Sequence, residues 1–310
     1  MSASDGSATR DPAGAAWIDG AVVPLAEARV PVTDRGFLFA DSVFDTVRTY
    51  AGAPFLMGDH LDRLRRSAGA LSMPVPWSDD DLVDIVASTI AAQGFPGESS
   101  LRIIVTRGDG GSGLAFPVPQ RPRLVVLSRP VPPYSAMRAA GVGLVRPSEH
   151  EGKRGVLGHI KSGDYLENVL ALNEGQRAGG LEALMRGADG SWGEATTSNL
   201  FAVHGERVTT PGLDAGILPG VTRGLVMATL RAAGVELVER SLFDADLDAA
   251  DELFITSSLK EIMPAVTLDA RRLGDGPGPV TQRVQALFAA AAQRIQDEGI
   301  RRLADAFPAP

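Results

Sequence analysis

Lys161, Glu194 and the run Leu218-Pro219-Gly220-Val221-Thr222-Arg223 follow one another within about sixty residues of the chain. A lysine amine can condense with an aldehyde cofactor. A carboxylate can hold a pyridine nitrogen protonated, and a Gly-Val-Thr turn opening a helix can cradle a phosphate. Those are the three handles a protein needs on pyridoxal 5'-phosphate (PLP). None is diagnostic alone; the ordered set is.

Each has a plainer explanation. Lys161 stands in His159-Ile160-Lys161-Ser162-Gly163-Asp164-Tyr165-Leu166, where a strand end meets a helix start, and a lone lysine there is more often solvated surface. Glu194, in Trp192-Gly193-Glu194-Ala195-Thr196-Thr197-Ser198-Asn199, taken alone is better explained as a turn carboxylate. Gly220 lets the backbone approach a ligand, and the amides of Val221 and Thr222 stand at the positive end of a helix. The same residues also make an ordinary Pro-Gly turn. Thr256-Ser257-Ser258 ends a strand with three hydroxyls and supplies a second wall for the same phosphate.

The elements that must position these groups follow from periodicity. Trp17–Gly20 and Ala21–Val23 read as a hairpin, and Ser42–Tyr50 as a strand. That strand puts Val43, Asp45, Val47 and Thr49 on one face, and Phe44, Thr46 and Arg48 on the other. Helical spacing covers Asp59–Leu71, and a Ser cap with an acidic first turn opens Ser78–Ala92. Leu101–Thr106 and Leu124–Leu127 read as strands. The second half alternates strands at Val142–Val145, Glu182–Met185, Asn199–Val203, Glu236–Glu239 and Leu253–Thr256 with helices at about 165–178, 221–233 and 280–296. Two α/β domains result. They comprise a disordered tail over 1–16, a small domain over 17–129, a linker over 130–136 rich in proline, and a larger cofactor-binding domain over 137–310.

Composition narrows the class. The chain has 310 residues, 44% hydrophobic and 22% charged, as in soluble globular proteins. A net charge of −8 argues against nucleic acid or an anionic membrane as partner. Without cysteine there is no disulfide, thiolate nucleophile or Cys-based metal site. His60, His150, His159 and His204 have no metal spacing, so no metal is expected. No apolar run is long enough to span a membrane, and the cytoplasm is the expected compartment. Lys153, Lys161 and Lys260 are the only lysines, which leaves few candidates for an amine. Gly108-Asp109-Gly110-Gly111-Ser112-Gly113 matches G-x-G-x-x-G, but Leu114-Ala115-Phe116-Pro117-Val118-Pro119 follows and no helix can begin there. It reads as a mobile glycine loop, not a dinucleotide fingerprint.

With these residues laid out, the chain resembles the class IV aminotransferases, the fold-type IV PLP enzymes of D-amino acid aminotransferase-like fold. The resemblance runs from about Trp17 to Leu287. It rests on six motifs in order. They are Arg35 to Arg48, His60-Leu61-Asp62-Arg63-Leu64, the Lys161 segment, Glu194 to Phe201, Leu218 to Arg223, and Asp251 to Pro264. The resemblance implies Lys161 as Schiff-base lysine and proton shuttle, with Glu194 on the pyridine nitrogen. It implies Arg63, Val221, Thr222 and Ser258 on the phosphate, Leu218 against the ring, and Tyr165 near the cofactor hydroxyl. Phe39, Phe44, Thr46 and Arg48 become substrate-pocket positions, and Leu259 a carboxylate contact. A homodimer is implied as well.

The subfamily markers are mixed. Ala40-Asp41-Ser42 replaces the usual Gly-Asp-Gly, and Phe44-Asp45-Thr46-Val47-Arg48 replaces the Phe-Glu-Gly-Ile-Arg of branched-chain enzymes. One residue fewer separates the lysine from the following tyrosine. The Arg-x-His pair of the best-known D-specific enzymes would fall near Ser112 and Leu114 and is absent, while Thr46 and the loop Thr106–Gly113 are similar to aminodeoxychorismate lyases. The expected activity is amino transfer from a branched or small hydrophobic amino acid, in the L form, to 2-oxoglutarate. The alternatives are a lyase that releases pyruvate from aminodeoxychorismate, a D-amino acid aminotransferase, and a non-catalytic scaffold that binds PLP or no cofactor.

Overall fold

The computed structural model of the chain describes residues 14–110, 113–148, 150, 152, 155–187 and 189–308. In chain order the elements are β1 (Ala15–Ile18), β2 (Ala21–Pro24), α1 (Arg35–Phe39), β3 (Ser42–Tyr50), β4 (Ala53–Pro54), α2 (Met57–Ala70), α3 (Asp79–Ala91), β5 (Ser99–Thr106), β6 (Arg123–Pro130), α4 (Ser135–Ala140), β7 (Val142–Val145), α5 (Leu166–Arg177), β8 (Glu182–Arg186), β9 (Trp192–Ala195), β10 (Asn199–His204), β11 (Arg207–Thr210), α6 (Val221–Ala232), β12 (Leu237–Glu239), α7 (Asp244–Asp248), β13 (Glu252–Ser257), β14 (Glu261–Leu268), β15 (Arg271–Arg272), α8 (Pro279–Asp297) and α9 (Leu303–Ala306).

β1 to β6 form one antiparallel sheet in the order β2-β1-β6-β5-β3-β4. The alternation of β3 decides which side is covered. Val43 and Val47 are fully buried against Leu61, Leu64 and Ala68 of α2, three positions at helical spacing. Each such aliphatic burial contributes about 1.5–3 kcal/mol. Ser78 caps α3 through a reciprocal capping box with Asp81, and Asp79, Asp80 and Asp81 set negative charge at the positive helix end.

The remaining strands form a nine-stranded mixed sheet in the order β12-β11-β10-β13-β14-β7-β8-β9, with β15 on β14. β9 pairs with β10 as well as β8, so β10-β13-β14-β7-β8-β9 is a closed ring of pairings. Period two sorts its side chains between two cores. Leu200, Ala202, Leu253 and Ile255 join Trp192, Leu144 and Met263 in one. Phe201, Val203 and Phe254 join Leu225, Val226 and Leu230 of α6 and Val284, Phe288 and Ile295 of α8 in the other. Phe201 and Phe254 stack there with centroids 4.7 Å apart. The C-terminal residues return to α2. Gly58 N–H donates to Arg301 O at 2.9 Å, Leu303 N–H to Asp59 at 2.6 Å, and Arg302 pairs with Asp62.

Three expectations shift at their edges. The 1–16 tail falls mainly outside the described residues, but Ala15 and Ala16 already belong to β1. The 130–136 linker is narrower, because β6 runs to Pro130 and α4 starts at Ser135. β14 was not anticipated, since Pro264 argues against a central strand. Pro264 nevertheless pairs opposite Phe254, close to an irregularity in the β14–β7 ladder between Ala265 and Thr267. No helix among the described residues is long and apolar enough to cross a membrane.

Candidate active site

A cavity of about 260 Å³ opens between the two sheets, lined by Lys161, Glu194, Arg63, Tyr165 and the 218–222 turn, among others. Lys161 is placed by backbone bonds to the six-stranded half. Phe44 N–H donates to Lys161 O at 2.9 Å, Gly163 N–H donates to Ser42 O at 2.8 Å, and Ser162 bridges Val43. Lys161 N–H donates to Ser67 Oγ at 3.1 Å. The segment is thus an extra strand on the start of β3, and its side chain enters the cavity from a rigid edge. Lys161 Nζ donates to Tyr165 Oη at 2.8 Å and lies 4.5 Å from the Phe44 ring centroid.

Glu194 stands across the cavity on β9. Its Oε2 accepts from Leu218 N–H at 3.1 Å and from Asn199 Nδ2 at 3.3 Å, while Asn199 Nδ2 also donates to Leu218 O at 2.9 Å. The carboxylate and the turn that starts α6 therefore form one unit. A Cβ on Gly220 would run into Asn199 Oδ1, so this position requires glycine for close approach. No side chain caps α6, and the amides of its first turn are left for a ligand.

Arg63 on α2 is held by the buried face of β3. Its Nε and Nη2 donate to the two oxygens of Asp45 at 2.8 and 2.7 Å, and its Nη1 donates to Pro219 O at 3.2 Å. His60 Nδ1 lies 2.7 Å from Asp45 Oδ1. Burial by itself would raise the pKa of Asp45, but the charges of Arg63 and His60 outweigh it and hold the carboxyl well below its ordinary range.

These groups suit PLP. The Thr256 hydroxyl lines the cavity, is buried, and has no hydrogen-bond partner among the described residues. It joins the hydroxyls of Thr222, Ser257 and Ser258, the first amides of α6 and the Arg63 guanidinium, a donor set made for an anion. Lys161 and Glu194 supply the amine and the carboxylate within the same cavity.

Of the residues named from sequence, Lys161, Arg63, Tyr165, Glu194, Leu218, Gly220, Val221, Thr222, Ser257, Ser258, Phe44, Thr46 and Leu259 all line this cavity. Phe39 and Arg48 do not. Phe39 ends α1, partly exposed beneath the Arg35 guanidinium. Arg48 pairs with Glu261 at 2.5 Å and donates to Leu259 O at 3.3 Å, because β3 has passed beyond the cavity at that point. Lys153 lies outside the described residues. The glycine loop does not line the cavity in its described part; Arg35 Nη1 donates to Gly113 O at 2.7 Å and pins it.

The lining residues that the sequence did not mark include Arg102, Asn168 and Lys260. Arg102 of β5 faces Thr46 across the ladder, with its guanidinium 3.7 Å from the Phe44 ring centroid. No carboxylate among the described residues forms an ion pair with it. Asn168 donates to Thr196 O at 2.8 Å. Lys260 Nζ donates to the buried Glu182 at 2.6 Å, and Glu182 also takes the hydroxyls of Thr196, Thr197 and Ser198. Burial would raise the Glu182 pKa, but Lys260 and the Thr196 and Thr197 hydroxyls lower it. The only signal for Arg102 was an arginine at outward parity in an apolar strand.

A lysine amine, a carboxylate and a cluster of anion-binding donors gathered in one cleft between two sheets are the arrangement that a PLP enzyme of fold type IV requires. The sequence model for amino-transferase class IV matches residues 42–268, and the chain belongs to that PLP-dependent family. The candidate branched-chain-amino-acid aminotransferase of Methanocaldococcus jannaschii is 32% identical, over 88% of this chain and 94% of its own. The D-alanine aminotransferase of Bacillus licheniformis is 28% identical over 86% and 93% of the two chains. The aminodeoxychorismate lyase of Bacillus subtilis is 27% identical over 88% and 92%. Among solved structures, the branched-chain amino acid aminotransferase of Escherichia coli superposes with a TM-score of 0.84 at 28% identity, covering 90% of this chain and 94% of that one. The branched-chain aminotransferase of Thermoproteus uzoniensis, solved with norvaline, also gives 0.84 at 28% identity, covering 92% and 97%.

Proposed function

We propose that this protein moves an amino group from a branched or small hydrophobic L-amino acid to 2-oxoglutarate. The observation that carries the reading is Arg102. It is a cation without a carboxylate partner among the described residues, in a cavity whose other lining includes Phe44, Ile160, Met185, Leu218 and Leu259. Such a cavity takes an apolar side chain in one half-reaction and offers one charge to the second carboxylate of a diacid in the other. The similarity to branched-chain aminotransferases supports the same donor class.

PLP, when bound, supplies the sink for the electrons left behind when the substrate Cα loses its proton. Lys161 would hold the cofactor aldehyde and carry that proton, with Tyr165 Oη orienting its amine. Glu194 would keep the ring nitrogen protonated. Arg63, Thr222, Thr256, Ser258 and the first amides of α6 would hold the phosphate, and Ser258 and Leu259 would meet the substrate α-carboxylate. A homodimer suits the exposed Phe37, Leu114, Phe116 and Val118, since apolar surface of this kind favours a protein partner.

The test supplies the purified holoenzyme with L-valine or L-leucine and 2-oxoglutarate and measures glutamate. Pyruvate released from aminodeoxychorismate without an acceptor, and no glutamate, would install the lyase instead. Transfer only from D-alanine would keep the chemistry and reverse the stereochemistry.

A further inference from the structure

The turn that joins β13 to β14 is gripped from outside the nine-stranded sheet. Ser257 pairs with Glu261 to close the hairpin, and Ser257, Ser258, Leu259 and Lys260 all line the cavity. Glu261 has a left-handed backbone, with φ of 57°, which is uncommon for a residue other than glycine. Its carboxylate is held by three donors. Arg48 reaches Oε1 at 2.5 Å, the Tyr50 hydroxyl donates to Oε1 at 2.8 Å, and Arg138 Nε lies 3.3 Å from Oε2. Arg48 also donates to Leu259 O at 3.3 Å, and its guanidinium lies 4.6 Å from the Tyr50 ring centroid.

Arg48 shares a face of β3 with Phe44 and Thr46, which line the near side of the cavity. A single strand therefore builds one wall and grips the turn that forms another. Lys260, bonded to Glu182, holds the same turn from within its own sheet. Without the Arg48 and Tyr50 contacts, the turn would keep its hairpin pairing but lose its fixed place relative to Phe44, Thr46 and Lys161.

We propose that Arg48 and Tyr50, acting through Glu261, are positioning residues that set where the 257–260 turn stands, and so how well it receives a substrate carboxylate. This rests on the transaminase reading, in which every donor and acceptor carries an α-carboxylate at that turn. Loosening the turn then weakens all substrates by one common factor. The reacting centre at Lys161 is untouched, so the loss is of uniform binding and appears in KM.

The experiment uses holoenzyme carrying Tyr50→Phe, Arg48→Lys or Glu261→Gln, after wild-type transfer from L-valine to 2-oxoglutarate has been established. Amide hydrogen exchange is followed over 257–261 and over 221–224, and KM and kcat are measured for both substrates. Arg48→Lys and Glu261→Gln are expected to speed exchange at the turn and leave 221–224 unchanged. Each should raise KM for L-valine and 2-oxoglutarate equally, by about tenfold, the scale of one charge-assisted hydrogen bond, with kcat within about twofold. Tyr50→Phe is expected to do the same more weakly, and it decides the matter where a charged variant does not fold. A KM rise for 2-oxoglutarate alone would mean that Arg48 touches substrate. Unchanged exchange at the turn, or cofactor loss and reduced kcat in all three variants, would overturn the proposal. A wild-type protein that transfers from no amino acid would sink the functional reading, and the exchange measurement would still judge the grip on the turn.

Discussion

Asp45 and Arg63 meet through two parallel hydrogen bonds of 2.7 and 2.8 Å, with the carboxylate fully buried beneath β3. The pair fixes the guanidinium at the cavity edge, where Pro219 O takes its remaining branch. A charge this buried needs its partner, and removing one partner of such a pair typically costs about 3–5 kcal/mol.

Asp45→Asn should therefore lower stability at neutral pH by roughly that amount and weaken PLP binding, read by thermal melts and cofactor titration. The pH dependence has a definite sign. The folded-state pKa of Asp45 lies below the unfolded value of about 3.9, so its contribution is full above that value and fades as pH falls through it and beyond. Wild-type stability should drop more steeply than that of Asp45→Asn as pH falls below about 4. Parallel curves would show that the pair contributes nothing specific.

Lys161→Ala should retain PLP through the phosphate cup and abolish turnover. Borohydride reduction of the wild type should label Lys161. Label on Lys153 or Lys260, together with an active Lys161→Ala, would overturn the assignment.

Glu194→Gln should keep the fold, because an amide can still accept from Leu218 N–H. It should slow the half-reaction strongly, since a neutral amide cannot stabilise a protonated pyridine nitrogen. Stopped-flow absorbance with L-valine measures this directly, and a near-native rate would mean that the ring nitrogen has another partner.

Arg102→Ala should raise KM for 2-oxoglutarate by about tenfold or more, as expected for loss of a charge-assisted contact. KM for L-leucine should change little. This asymmetry separates Arg102 from Arg48, whose replacement should affect both substrates alike. Equal shifts after Arg102→Ala would place its effect on the cavity wall rather than on the second carboxylate.

Much of this site was legible because its residues sit where local rules operate. The alternation of Ser42–Tyr50 gave β3 its exact limits and its two faces, and the Ser78 cap marked the start of α3. Lys161, Glu194 and the 218–223 run came together because each lies at the end of an element facing the same cleft. Arg102 stayed hidden because its importance depends on the β3–β5 register, which sets it opposite Thr46. The resemblance names Arg48 as a pocket residue. Parity gave its face correctly, but only the tertiary fold placed Glu261 beside it. β14 was obscured by Pro264, a local signal that the ring of strand pairings overrides.

β3 also separates two kinds of heritable change. Its inward face holds Arg63 through Asp45, and its outward face lines the cavity with Phe44 and Thr46. Sequence drift at positions 44 and 46 can therefore alter substrate choice while Asp45 keeps its partner. An insertion of one residue would exchange the two faces and forfeit both at once.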